Sequence, residues 1–86
     1  MKIKFSDHAK LKFEILTRHH FVVTEKQVKE TIVKPDRIEQ GKKGRMIAQK
    51  AIDERHILRV VYEHAEEGCE VITFYPGRRG RYEDKL

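Results

Sequence analysis

The residues best suited to chemistry stand near the end of the chain, in Phe74-Tyr75-Pro76-Gly77-Arg78-Arg79-Gly80-Arg81-Tyr82. A β-branched and aromatic run delivers the backbone straight into three arginines and a tyrosine, and the two glycines allow it to turn closely. The planar guanidinium fork binds phosphate oxygens in pairs and stays charged at any relevant pH. A tyrosine can stack on a base or exchange a proton with a ribose or leaving oxygen. The bland alternative is a charged tail in solvent, with Tyr82 covering a sheet edge.

Arg59 is the second candidate. It lies in Ile57-Leu58-Arg59-Val60-Val61-Tyr62, and a strand there puts it on one face with Ile57 and Val61. An unpaired buried cation is costly, so Arg59 must find an anion. That anion is either a carboxylate, with Glu14, Glu30 and Glu39 as candidates, or the phosphate of a substrate. A nuclease site built on Arg59 requires the second.

Of the five histidines, His8 is the one placed to take a proton. It sits in the first turn of a helix, whose positive end disfavours a protonated ring. His19, His20, His56 and His64 are read as packing or surface residues. Lys42, Lys43 and Arg45 form a basic hairpin tip that could touch a phosphate backbone without reading its sequence. There is no paired Cys-x-x-Cys, no HExxH, no phosphate-binding GxxxxGK[ST] loop and no nucleophile elbow. The expectation is therefore no metal and no cofactor. Cys69 follows two acids and a glycine, a poor setting for a reactive thiolate.

The elements that must position these groups follow from periodicity. Lys2 to Phe5 alternates as a short strand. Ser6 or Asp7 caps a helix with a stripe of Ala9, Phe13, Leu16 and His20. Thr24 with Gln27 three residues on predicts a capping box for a second helix, which buries Val28 and Ile32 and stops at Lys34 before Pro35. The rest reads as a meander: Arg37 to Gln40, a turn at Gly41-Lys42-Lys43-Gly44, Arg45 to Ile52, Arg55 to Ala65, and Cys69 to Tyr75. Pro76 and Gly77 are expected to end the last strand, leaving residues 78–86 as a charged tail. The predicted class is α+β in the order β-α-α-β-β-β-β, with two helices on one face of a twisted antiparallel sheet. The last two strands should be neighbours, which would bring Arg59 towards the terminal arginines.

Eighty-six residues suit a single domain over 1–86, and a chain this short buries only about 60–65% of its unfolded surface. A homodimer or a partner chain would add buried area. The single cysteine excludes an internal disulfide, and the opening residues are too polar for a signal peptide, so the cytoplasm is the expected compartment. No run of about eighteen apolar residues occurs, so no membrane span is expected. Nineteen Lys and Arg against fourteen Asp and Glu give a formal charge of +5, which favours a polyanion partner.

Phe5-Ser6-Asp7-His8-Ala9, Lys34-Pro35-Asp36-Arg37-Ile38 followed by Gly44-Arg45, Leu58-Arg59-Val60-Val61-Tyr62, and Tyr75-Pro76 with Arg78, Arg81 and Tyr82 occur in that order. In this the chain resembles a family of small bacterial and archaeal domains distantly similar to the RelE/ParE and BrnT toxin superfamily. The resemblance implies a RelE-like fold and a metal-independent endoribonuclease acting on RNA, often on the ribosome, restrained by an acidic antitoxin. It implies a site of Arg59, Arg78 or Arg79, and Tyr82, with 2′-hydroxyl attack on the adjacent phosphate. The lysine pair of RelE itself is not clearly present, although Lys50 could supply one, and His8 becomes the substitute base. The catalytic expectation is thus His8, Arg59, Arg79 and Tyr82, with Lys42, Lys43, Arg45, Arg78 and Arg81 gripping nucleic acid. Two non-catalytic alternatives stand beside it: a module that binds nucleic acid by its phosphates, and a domain that binds an acidic protein.

Overall fold

Strand β1, Lys2–Phe5, turns Ile3 and Phe5 inward and its lysines to solvent. A computed structural model describes residues 2–83, in which one mixed five-stranded sheet carries three α-helices. Ser6 joins β1 to helix α1, Asp7–Arg18. Its hydroxyl accepts from the Ala9 N–H at 3.0 Å and donates to the Ile72 carbonyl at 2.9 Å, so one side chain caps the helix and ties it to the sheet. Ala9 is fully buried, and the Phe13 ring packs between Phe5 and Phe74. Helix α1 ends in a Schellman motif: the Phe21 N–H reaches the Leu16 carbonyl and the His20 N–H reaches Thr17. His20 holds the left-handed position that glycine usually takes, at φ 63°. It is exposed there, which corrects its assignment to the buried stripe.

Helix α2, Glu25–Val33, opens on the expected capping box, with Thr24 and Gln27 bonded reciprocally at 3.0 and 3.1 Å. Val28, Thr31 and Ile32 are buried. The helix stops at Lys34, whose carbonyl accepts from Lys50 Nζ at 2.8 Å.

Strands β2 (Arg37–Gln40), β3 (Met46–Ala51), β4 (His56–Ala65) and β5 (Gly68–Arg78) follow as an antiparallel meander, with one 3-10 turn at Lys42–Gly44. The spatial order is β1-β5-β4-β3-β2. β1 pairs with β5 in parallel, so the sheet is mixed rather than purely antiparallel. A parallel pair needs a long crossover, and nearly the whole chain serves as one here. Helices α1 and α2 share one face, closing a core of Ala9, Val28 and Ile32 over Ala48, Leu58, Val60 and Phe74.

β5 also runs further than its sequence suggests, through Pro76 and Gly77 to Arg78. β1 covers only Gly68–Val71, so Pro76 lies where β5 has no outer neighbour to miss its N–H. Beyond Arg78 the chain forms a third helix, α3, Arg79–Glu83, in place of a loose tail; residues 84–86 lie outside the described part. α3 folds onto the sheet face opposite α1 and α2. Gly77 makes this approach possible, because a Cβ there would overlap the Tyr82 ring. Among the described residues no helix is long and apolar enough to cross a membrane.

Gly68 is the tight point of the β1–β5 junction, since a Cβ there would overlap the Lys2 main chain. Gly68→Ala is expected to lift β1 from the edge and cost about 1–3 kcal/mol in denaturant unfolding. Faster amide exchange at Ile3 and Phe5 would locate the damage.

Candidate nucleic-acid interface

On the face away from α1 and α2, the strand register sets four polar side chains in one row across the sheet: Arg37, Gln49, Arg59 and Tyr75. Arg59 is the centre of this ladder and is only 6% exposed. Its Nε donates to the Tyr75 hydroxyl at 3.0 Å and its Nη1 to Gln49 Oε1 at 2.6 Å. Nη1 and Nη2 each donate to one oxygen of Glu39 at 3.3 Å, a two-pronged pair. Arg37 pairs with Glu39 as well. The Tyr82 ring closes the site from α3, with its centroid 4.8 Å from the Arg59 guanidinium carbon.

The electrostatics agree with the geometry. The Arg59 hydrogen bonds, joined by those of Arg37, hold the Glu39 carboxyl below its ordinary value despite partial burial. Burial opposes charge on Arg59, but the bonds to Glu39 and Tyr75 outweigh it and its pKa is raised. Arg59 therefore takes the carboxylate alternative, and the partner is Glu39. Its expected role as an open ligand for a substrate phosphate does not fit this geometry, because four of its five N–H donors are bonded to protein acceptors and the side chain is buried.

A second cluster of arginines lies beside this ladder, where β4 begins and β5 ends. The chain has eight arginines. Four of them pair with carboxylates: Arg18 with Glu14, Arg37 and Arg59 with Glu39, and Arg45 with Glu63. Arg55, Arg78, Arg79 and Arg81 all line a single cleft of about 560 Å³. Its remaining walls are Glu54, His56 and Gly80. The β3–β4 turn supplies one side and the β5–α3 junction the other. Arg79 fastens the two sides, its N–H bonded to the Arg55 carbonyl at 2.9 Å and its Nη1 to the Asp53 carbonyl at 3.3 Å. Arg55, Arg78 and Arg81 are exposed, with no ion pair among the described residues.

Other expected site residues fall elsewhere. Tyr82 acts through its ring on Arg59, and its carbonyl accepts from Arg37 at 3.3 Å. His8 is exposed at the outer edge of β5, its Nε2 3.1 Å from Thr73 Oγ1. Thr73 lies five residues before Arg78, about 16 Å at the usual strand rise, so His8 is not gathered with the arginine cleft. Lys42 and Lys43 are exposed on the β2–β3 turn, at the opposite end of the sheet from the cleft. Arg45 is occupied by Glu63 at 2.9 Å, and Lys50 closes the end of α2.

Arg55 and His56 were missed as site residues, although the pair Arg55-His56 stood visible after an Asp-Glu turn. Asp53 holds His56: its Oδ1 accepts the N–H groups of Arg55 and His56 at 2.7 Å and approaches His56 Nδ1 at 3.0 Å. These bonds, that of Arg55 first, keep the Asp53 carboxyl below its ordinary value. Among the described residues no group of three His, Cys, Asp or Glu converges as a metal would need. Comparison with known proteins returned no match to a family model, a curated protein or a solved structure.

Two outcomes follow from the ladder. Glu39 lies below its ordinary 4.5 in the folded chain, so its contribution is present above that pH and lost as pH falls through the folded value. Glu39→Gln should cost about 1–3 kcal/mol near pH 7, less than a fully buried pair because Glu39 is partly exposed. The gap between variant and native urea midpoints should narrow as the pH is taken below 4.5. Tyr82→Phe keeps the ring over Arg59 and should leave the melting temperature near native, whereas Tyr82→Ala should lower it and loosen α3.

Proposed function

We propose that this domain binds RNA by its phosphates, with the cleft of Arg55, Arg78, Arg79 and Arg81 as the anchoring site. The observation that carries this reading is the sorting of the arginines. Arg18, Arg37, Arg45 and Arg59 pair with carboxylates away from the cleft, while Arg55, Arg78 and Arg81, exposed and without an ion pair among the described residues, meet at one cleft. Guanidinium groups gathered with a single carboxylate residue, Glu54, on the described walls favour a polyanion, and their planar donors suit phosphate oxygens. His56 on the rim and the exposed edge of the cleft leave room for a sugar or base beside the phosphate.

RNA, rather than DNA, is chosen on the resemblance to RelE-type domains. The RelE-like fold belongs to the same proposal. It is supported by two helices between β1 and a four-stranded antiparallel meander, and by terminal arginines placed beside the last strand. A toxin role and restraint by an acidic antitoxin extend the proposal. Growth arrest on expression, relieved by an acidic protein encoded alongside, would support them.

Binding of a labelled single-stranded RNA should weaken linearly on a log–log plot of affinity against salt, by about 0.7 in slope for each phosphate engaged. Arg55→Ala, Arg78→Ala and Arg81→Ala should each lower the affinity and flatten that slope by about one contact. Lys42→Ala with Lys43→Ala, at the far end of the sheet, should change both far less. Native affinity in an Arg55→Ala, Arg78→Ala double variant would remove the cleft from the interface, and equal binding of DNA of the same sequence would remove the preference for RNA.

A further inference from the structure

We infer that Asp53 and His56 form a proton-transfer pair on the rim of the arginine cleft, acting on the 2′-hydroxyl of an RNA whose phosphate the cleft holds. The inference rests on the RNA-binding reading above and adds a reaction to it.

The Asp53 carboxylate lies 3.0 and 3.1 Å from His56 Nδ1 through its two oxygens. An ionised carboxylate accepts there, so the proton of the neutral ring belongs on Nδ1 and the lone pair on Nε2. Nε2 has no protein partner among the described residues. The ring is also steadied from the α1–α2 connection, where Phe21 meets it edge-on at 4.9 Å between centroids and 80° between planes. An imidazole oriented by a carboxylate, held by an aromatic edge and bordering a cluster of cations is equipped to take a proton beside a bound phosphate.

A purely structural role for Asp53 explains less. Closing the β3–β4 turn needs only its two backbone bonds to Arg55 and His56. The contact to the ring is additional, and it sets the one property of His56 that matters to proton transfer. The other described histidines lack this arrangement: His8 meets a hydroxyl, and none of His19, His20 and His64 has a carboxylate partner among the described residues.

The step balances without a metal or a co-reactant. Nε2 takes the proton of the 2′-hydroxyl as that oxygen bonds to the adjacent phosphorus. The bond from phosphorus to the 5′-oxygen breaks, the leaving oxygen takes a proton from water, and the imidazolium returns its own to solvent. The products are a 2′,3′-cyclic phosphate and a free 5′-hydroxyl. The cleft arginines stabilise the charge that builds on the phosphoryl oxygens. His56 is the catalytic residue in this scheme and Asp53 its positioning residue.

The test uses the full chain with EDTA present and end-labelled single-stranded RNA, free and in translating ribosomes. The native chain should release cyclic-phosphate ends, and an oligonucleotide with 2′-deoxy sugars should resist. At saturating RNA, His56→Gln should lose about 100-fold or more in cleavage rate. In nitrogen-15 spectra of the ring, Asp53→Asn should move the His56 proton from Nδ1 towards Nε2. Native binding without cleavage, or cleavage undiminished in His56→Gln, would overturn the inference and leave the RNA-binding reading standing. Loss of RNA binding in the native chain would overturn both.

Discussion

The burial of one positive charge organises this molecule. Arg59 is built into the central strand of the sheet with its guanidinium almost wholly out of water. A buried cation left alone would cost several kcal/mol, so every neighbour is arranged to answer it. Gln49 and Tyr75 come from the adjoining strands at the same level, Glu39 reaches in from the edge strand, and Tyr82 closes over the top. The four-strand register is locked by this requirement as well as by the apolar face, because a one-residue slip would point Gln49 or Tyr75 into the helix layer.

The same charge places α3. A helix of five residues has little stability of its own, so its position must come from tertiary contacts. Tyr82 lies over Arg59 and over the bare backbone of Gly77, and Arg37 holds its carbonyl. With Tyr82 anchored, the chain between it and β5 has no freedom to drift, and that chain carries Arg78, Arg79 and Arg81. Arg59 thus serves the arginine cleft at a distance. It fixes the segment that forms the cleft and stays out of the cleft itself.

Local signals in the sequence were enough for most elements. The Thr24–Gln27 box and Pro35 after α2 mark boundaries through short-range chemistry, and the β-branched runs mark where β4 and β5 lie, although β5 continues past Tyr75. Long-range facts were less legible. Arg59 in an apolar strand announced that it needed an anion, and Glu39 was among three carboxylates that could answer, but only strand register selects it. The parallel seating of β1 depends on which edge remains open after β2–β5 have assembled. α3 was hidden because Arg-Gly-Arg-Tyr is a poor helix on propensity, and its stability is borrowed from Arg59. Arg55 and His56 read as an ordinary turn, since nothing nearby in sequence says that the turn meets the end of β5.

Net charge says little about where the arginines gather, whereas the distribution of carboxylates says more. A total of +5 spread evenly over the surface would need no explanation. Here the acids neutralise the arginines of α1, β2, β4 and the β2–β3 turn, while Glu54 is the one carboxylate residue bordering the cleft on its described walls. Like charges within a Debye length of about 10 Å repel, so gathering four arginines works against a small and marginally stable chain. Folding alone gives no reason for that arrangement, because carboxylates at Arg78 or Arg81 would relieve it. An anion from outside, as proposed above, would offset that repulsion, and the ladder around Arg59 supplies the rigidity that lets the chain tolerate it without one.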